Sequence, residues 1–205
     1  MNTRYAYCYV RPVAITALLL FYFIIHAYPQ EMNGLDHAGR RHGKWVKNYP
    51  SGNIRFEGNF EHGIPTGIFR YYHENGKLRV IMKHTEGNAE ASAEIFNEAG
   101  IRIAQGAYLN EQKSGEWVYY NEEDGKVLSV EHYRKGQPHG IWKVYYPSDT
   151  IVSDLTEYRE GEKHGRWRQF FADGNPRTLA EYQNGKLHGN YIAYYANRKL
   201  LNTWQ

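Results

Sequence analysis

Cysteine is almost absent from this 205-residue sequence: Cys8 is the only one. It lies before the single long apolar run, so it cannot be the acylated cysteine of a lipoprotein, which must follow that run. A chain that loses its first residues then has no disulfide framework, thiol nucleophile or thiolate metal site. Charge of either sign is also not in excess. The 25 basic and 22 acidic residues give a formal charge of +3, and residues 1–27 contribute Arg4 and Arg11 with no acid, so removal of that segment leaves 23 against 22. That balance supplies no global attraction for nucleic acid or for anionic lipid. Catalytic signatures are missing as well. There is no Gly-x-Ser-x-Gly, His-Glu-x-x-His, Walker loop or Gly-x-Gly-x-x-Gly, and Gly76-Lys77 and Gly185-Lys186 lead to leucine instead of Ser or Thr. The sequence reads as non-enzymatic, with no cofactor and no metal.

The apolar run is Pro12 to Tyr28, preceded by a segment whose only charges are Arg4 and Arg11. A basic stretch, a short apolar stretch and the small residue of Ile25-His26-Ala27 together form the pattern of a cleaved export signal over residues 1–27. The run falls somewhat short of the ~20 apolar residues that span a bilayer. A retained N-terminal anchor is the alternative, and residues 28–38 then form a linker. Export predicts the periplasm or cell surface. Retention predicts an inner-membrane anchor, with membrane contact through that segment alone.

From Gly39 to Gln205 the chain repeats itself. Gly161-Glu162-Lys163-His164-Gly165 leads to Trp167 and Phe170-Phe171, and Gly136 to Gly140 leads to Trp142 and Tyr145-Tyr146. Gly185 to Gly189 leads to Tyr191, and Gly39 to Gly43 to Trp45. Taking the second glycine of each unit as a mark gives Gly43, Gly67, Ala91, Gly115, Gly140, Gly165 and Gly189, at spacings of 24, 24, 24, 25, 25 and 24. A period in this range marks stacked supersecondary units that cannot bury an apolar face alone.

Each unit carries the pattern of two short strands. An aromatic stands two residues after the mark, at Trp45, Phe69, Trp117, Trp142, Trp167 and Tyr191. A turn follows at Ser51-Gly52, Asn75-Gly76, Ala99-Gly100, Asp124-Gly125 or Asp173-Gly174, where Asn-Gly and Asp-Gly supply the positive φ of a tight hairpin. The second strand ends on another aromatic column, Phe60, Tyr108, Tyr133, Tyr158 and Tyr182, with His84 in that place in the second unit. Linkers such as Gly63-Ile64-Pro65-Thr66-Gly67 then reverse the chain. Only Ala89 to Phe96 reads locally as helix, and the intact register around it makes it a degenerate strand.

The expected fold is all-β: an elongated single-layer antiparallel sheet of about seven stacked hairpins of 24–25 residues, behind an N-terminal signal or anchor helix. At ~4.8 Å per strand the array extends roughly 65 to 70 Å, with aromatic pairs contributing ~0.5 to 1.5 kcal/mol each beyond area burial. The last unit, ending soon after Trp204, is expected to cap the array with an incomplete second strand.

The Gly-x-x-His-Gly-x-Trp motif with paired aromatics and a following Asn-Gly, repeated from Gly39 to about Leu201, resembles the MORN-repeat variant of bacterial proteins often labelled YwqK-family antitoxins. The resemblance implies stacked antiparallel hairpins and a role in binding. In the eukaryotic MORN pattern Gly-x-Gly follows the histidine, whereas Gly43-Lys44-Trp45, Gly140-Ile141-Trp142 and Gly165-Arg166-Trp167 carry tryptophan at the second glycine. The phospholipid-binding role attached to that pattern is therefore not implied.

The candidate positions are those of the repeat itself: Gly43, Trp45, Gly67, Phe69, Gly115, Trp117, Gly140, Trp142, Gly165, Trp167, Gly189 and Tyr191, all expected to be structural. His42, His139, His164 and His188 share one repeat position. Two strands of separation, ~9.5 Å, forbids them a common metal ion whose ligands must all lie about 2.0 to 2.1 Å away, so they read as structural or turn-capping. Glu122-Glu123-Asp124 reads as a solvated hairpin tip. The functional expectation is an exported binding scaffold at the bacterial envelope, with a protein or cell-envelope glycan along the sheet and no nucleic acid. The resemblance offers an antitoxin or immunity role as the alternative.

Overall fold

Cross-strand pairing decides the architecture, and all but one of the pairings are between strands consecutive in the chain. The computed structural model describes residues 32–85, 89–147 and 150–204, and the expected N-terminal signal or anchor helix lies outside them. Sixteen strands form one open antiparallel sheet in sequence order. After the short β1 (Gly34–Leu35) come seven hairpins. The first three are β2 (Arg41–Asn48) with β3 (Ile54–Glu61), β4 (Ile64–Tyr72) with β5 (Leu78–His84), and β6 (Glu90–Phe96) with β7 (Arg102–Leu109). The fourth is β8 (Gln112–Tyr120) with β9 (Val127–Arg134). In the fifth, β10 (Gln137–Pro138) pairs with β9 and β11 (Gly140–Tyr145) continues to β12 (Val152–Arg159). The last two are β13 (Glu162–Phe170) with β14 (Pro176–Gln183), and β15 (Lys186–Tyr194) with β16 (Leu200–Trp204). Among the described residues there is no helix, and the segment Ala89 to Phe96 is a strand, as the register demands.

The turns differ from expectation in an instructive way. Positive φ at both central residues, the mirror-image turn that matches strand twist, occurs at the joints between units: His62-Gly63, Asn110-Glu111, Lys135-Gly136, Glu160-Gly161 and Asn184-Gly185. Inside the units a single turn residue is left-handed, the glycine in five of them and Arg198 in the last. The Gly52 N–H donates to the Tyr49 carbonyl at 2.9 Å and the Tyr49 N–H to the Asn53 carbonyl at 2.8 Å, a right-handed turn closed by a left-handed residue. The Asn or Asp there works through its side chain instead: Asn75 Oδ1 accepts from the Lys77 N–H and Asp173 Oδ1 from the Asn175 N–H, both at 2.9 Å. The two 25-residue spacings are explained in the same place. The closing bond spans four residues in five units and five in the other two, from the Asn121 N–H to the Lys126 carbonyl and from the Tyr146 N–H to the Ile151 carbonyl.

The mark glycines are not part of the reversals. Gly67, Gly115, Gly165 and Gly189 each lie in a first strand at a β-bulge. In the sixth unit Tyr158 faces Lys163 and Thr156 faces Trp167, so His164-Gly165-Arg166 stands opposite Glu157 alone. Gly165 has φ of 96°, and a Cβ on it would collide with the Glu157 carboxylate. Glycine is favoured at that point by conformation, since the flexible Glu157 side chain can give way to a Cβ but the left-handed backbone remains strained for any other residue.

All fully buried side chains among the described residues share one face of the sheet, related by cross-strand pairing. Phe69 is 1 % exposed and Trp117 0 %, although no second layer covers them. Both rings lie flat against a glycine of the preceding strand, Gly58 and Gly106, where a Cβ would enter the ring. The degenerate third unit reverses the sizes: Ala93 stands where other units have the ring, and Met82 faces it from the preceding strand. Side-chain volume across the strand boundary is therefore conserved while its source alternates.

The N-terminal end carries its own clamp. The Asp36 carboxylate accepts from the Ala38 and Arg40 N–H groups at 2.9 Å, from Arg40 Nε at 2.8 Å, and lies 2.8 Å from His62 Nδ1. The bond with His62, followed by those from the Arg40 backbone and side chain, holds this carboxyl well below the usual carboxylate range. The last strand has no such partner: Leu200, Leu201 and Trp204 are exposed, and Trp204 stacks on Tyr191 at 5.0 Å.

Two outcomes follow from this packing. Gly106→Ala lowers stability by about 1–3 kcal/mol through overpacking against Trp117, read as an earlier urea midpoint with altered tryptophan emission; an unchanged midpoint means the indole moves aside freely. For Asp36, a depressed folded-state pKa means that the stabilisation is present above the ordinary value of 3.8 and is lost as pH falls through the carboxylate range. Asp36→Asn accordingly speeds amide exchange of β1 and β2 relative to wild type at pH 7, and the difference starts to narrow only as pH falls below about 4, shrinking toward the depressed folded-state value. A difference that already vanishes well above about pH 4 contradicts the assignment.

Candidate functional site

The repeat positions form a ladder of rings on the buried face, in runs interrupted at the third unit, where Ala93 replaces the ring. Centroid distances are 5.9 Å for Trp45 and Phe60, 5.1 Å for Phe60 and Phe69, and 5.3 Å for Phe69 and His84. They are 5.1 Å for Tyr108 and Trp117, 5.3 Å for Tyr133 and Trp142, 4.7 Å for Trp142 and Tyr158, and 5.9 Å for Trp167 and Tyr182. Most are edge-on or tilted, the arrangement the ring quadrupole favours. The positions Gly43, Gly67, Gly115, Gly140, Gly165 and Gly189, all with positive φ, set the strand bend that brings each ring onto its predecessor.

Sequence reading missed what lies over those rings. A basic residue two positions before the mark caps three of the seven units. Arg41 Cζ is 4.9 Å from the Trp45 ring and 5.1 Å from Phe60, and Lys163 Nζ is 5.1 Å from Trp167 and 5.2 Å from Tyr182. In the fourth unit Lys113 Nζ lies 4.5 Å from Trp117, 5.2 Å from Tyr119 and 4.8 Å from Tyr133, and donates to the Tyr119 hydroxyl. These are cation–π cages built within the chain. The signal was present, a Lys or Arg recurring at one repeat position, but its meaning depends on the bulge that folds it back over the ring.

Carboxylates enter the same face in the middle of the array. Glu131 accepts from the Tyr133 hydroxyl at 2.6 Å and from Ser129 Oγ at 3.2 Å. Asp154 accepts from Thr156 Oγ1 at 2.6 Å and from the Trp167 indole N–H at 2.9 Å. Burial, and then the bond to Glu131, pushes the Tyr133 phenol well above its ordinary value, and burial does the same to Tyr108 and Tyr158. Glu131, Asp154 and Tyr133 are thus committed to internal partners.

The repeat histidines do not cap turns. His42, His164 and His188 lie within β2, β13 and β15, and His139 between β10 and β11, beside the mark glycines in each case. Glu122-Glu123-Asp124 is a hairpin tip, with Glu122 accepting from Asn97 Nδ2 of the preceding hairpin at 3.1 Å. Such contacts between tips recur: Tyr49 OH donates to the Tyr72 carbonyl at 2.8 Å and Tyr146 OH to the Phe170 carbonyl at 2.7 Å, while His73 Nε2 lies 2.9 Å from the Phe96 carbonyl.

The opposite face is open. Residues directly facing one another across its strands run Gln105, Val118, Val130, Lys143, Leu155, Arg168, Leu179 and Ile192, none fully buried. Ion pairs decorate it, Lys44 with Glu57 at 3.7 Å, Arg102 with Glu94 at 3.5 Å and His132 with Glu116 at 3.6 Å. Exposed pairs of this kind contribute little to stability.

No curated protein matches the chain. Among solved structures, the crystal structure of TarM is 19 % identical over 48 % of this chain with a TM-score of 0.35. A mutant of S. aureus TarM in complex with Fondaparinux, alpha-GlcNAc-glycerol and UDP is 18 % identical over 48 % of this chain, with a TM-score of 0.36. The chain spans about a fifth of the length of those proteins, 19 % in each case. A family model described as MORN repeat variant matches residues 41–62, 65–84, 138–159 and 163–184, and each match coincides with one hairpin of the sheet. Four hairpins of the sheet are thus MORN-repeat variant units by sequence, and the three between and after them continue the same sheet in the same order.

Proposed function

We propose that the chain is a non-enzymatic, exported binding scaffold that holds a protein or glycan partner along its sheet at the bacterial envelope. The observation that carries this reading is the asymmetry of the two faces. One face engages most of its rings, cations and carboxylates internally. The other presents a cross-strand row that mixes apolar side chains with Gln105, Lys143 and Arg168, and no described residue forms a layer over it. Half-buried apolar side chains interleaved with both signs of charge suit a partner that offers mixed polar and apolar contacts. A uniformly charged polymer finds no matching field there. MORN-type repeats are themselves a scaffold built by repetition, and the signal-like N-terminus supports the envelope as its compartment.

Fractionation of the native protein with intact-mass measurement, combined with photo-crosslinking, tests this. The expected results are a chain beginning near Tyr28 in the periplasmic or surface fraction and a crosslinked partner when the reactive residue replaces Glu116 on the open face, with none when it replaces Lys77 at a hairpin tip. A full-length chain in the inner-membrane fraction places the same scaffold on an anchor. A cytosolic full-length chain, or an open face that captures nothing while the tips do, overturns the proposal; capture of a cytosolic toxin establishes the neutralising role instead.

A further inference from the structure

The second unit reproduces the cage of the fourth without its cation. Phe69 stands for Trp117, Tyr71 for Tyr119 and His84 for Tyr133. The ring geometry is the same: Phe69 and Tyr71 are 6.3 Å apart at 29°, Trp117 and Tyr119 6.2 Å apart at 30°. In the fourth unit Lys113 fills the space among the three rings. Its equivalent in the second unit is Pro65, which carries no charge and cannot reach across the rings.

On the adjoining side the degenerate third unit leaves further room. Ala89 occupies the position held elsewhere by Arg41, Lys113 and Lys163. The two deficits merge into a cavity of about 290 Å³ walled by Tyr71, His84, Met82 and Tyr108, with Pro65, Ala89 and Glu111 also lining it. Both ring nitrogens of His84 are buried, and neither has a hydrogen-bond partner among the described residues. A buried polar atom left in that state carries a desolvation cost that a ligand can relieve.

We propose that this cavity is a binding site for an organic cation, an alkylammonium group such as that of a lysine side chain. The protein itself supplies the precedent, since the equivalent positions of the fourth unit hold an ammonium; here two of those positions, Tyr71 and His84, line the cavity together with Tyr108, while Phe69 is buried and does not line it. Ring faces attract a cation through their quadrupole. A neutral imidazole nitrogen accepts from an ammonium N–H, and the Glu111 side chain adds a negative charge at the wall. A neutral apolar guest leaves the His84 nitrogens unpaired, and an anion meets Glu111 and the ring faces. The volume lies just under the ~300 to 1,000 Å³ of pockets for drug-sized ligands, which suits a single side chain or small amine. The site stands whether or not the open face also carries a partner.

Titration of the full-length chain with n-butylammonium chloride, followed by the aromatic NMR signals, provides the test. Saturable shifts confined to the Tyr71, His84 and Tyr108 rings are expected. Tyr108→Ala weakens binding roughly threefold to thirtyfold, the range of a cation–π contact. Pro65→Lys gives the second unit the residue the fourth already tolerates, so it retains the fold and abolishes binding by filling the cage from within. Neutral n-pentanol, of similar length, does not compete. No saturable shift, undiminished binding to Pro65→Lys, or equal binding of pentanol each overturns the proposal. A blocked lysine amide that binds as well as butylammonium identifies the guest as a partner's lysine side chain, whereas exclusion of the blocked lysine with retention of butylammonium identifies a free small amine.

Discussion

A single-layer sheet has nothing behind it to bury a ring, so every ring must be buried by its own neighbours, and this requirement governs the rest of the structure. The solution is a size exchange across the joint between hairpins. A large ring on one strand lies on a glycine of the strand before it, as Phe69 does on Gly58 and Trp117 on Gly106. Where the ring is lost, at Ala93, the preceding strand supplies Met82. Because the fit is between consecutive strands, the energy of the array is a sum of nearest-neighbour terms, and the fold needs no long-range contact to be specified.

The backbone is shaped to serve that fit. A bulge at Gly67, Gly115, Gly165 and Gly189 places several residues opposite one and turns the strand, whereas the register at Ala91 is unbroken, and what covers the ring is decided by the residue two positions before the mark. In three units that residue is basic and closes the cage with a cation. In the second and third it is Pro65 and Ala89, and the cage stays open. The same geometry thus yields an internal contact in one hairpin and a cavity in another, decided by one side chain. The turns divide their labour correspondingly. Mirror-image turns at the joints keep neighbouring hairpins in twist-matched register, and the looser turns inside the hairpins absorb the extra residue of the longer units.

The ends of the sheet are treated unequally. At the start, β1 and the Asp36 carboxylate, with its bonds to Arg40 and His62, tie the first hairpin down. At the far end β16 is exposed along its whole length, and Trp204 is held by stacking on Tyr191. An edge strand with free backbone groups and exposed leucines is a natural place for another strand to add. Stability is therefore expected to grade along the array, lowest where a hairpin has a neighbour on one side only.

The sequence by itself determined the repeat, the number of hairpins, the strand identity of Ala89 to Phe96 and the residues of the ring ladder, because period and register survive in one dimension. It also showed that Glu122 to Asp124 lie at a tip. What it did not disclose was which glycine makes a turn and which makes a bulge, since both read as the same letter and differ only in hydrogen-bonded register. Nor could it disclose that Lys113, Arg41 and Lys163 lie over rings, or that Pro65 and Ala89 leave a shared space: those facts arise when the bulge brings residues four apart along a strand onto one ring and when two units meet across a joint. Period is a property of the chain, whereas enclosure is a property of surfaces from different strands, and only the assembled sheet brings those surfaces together.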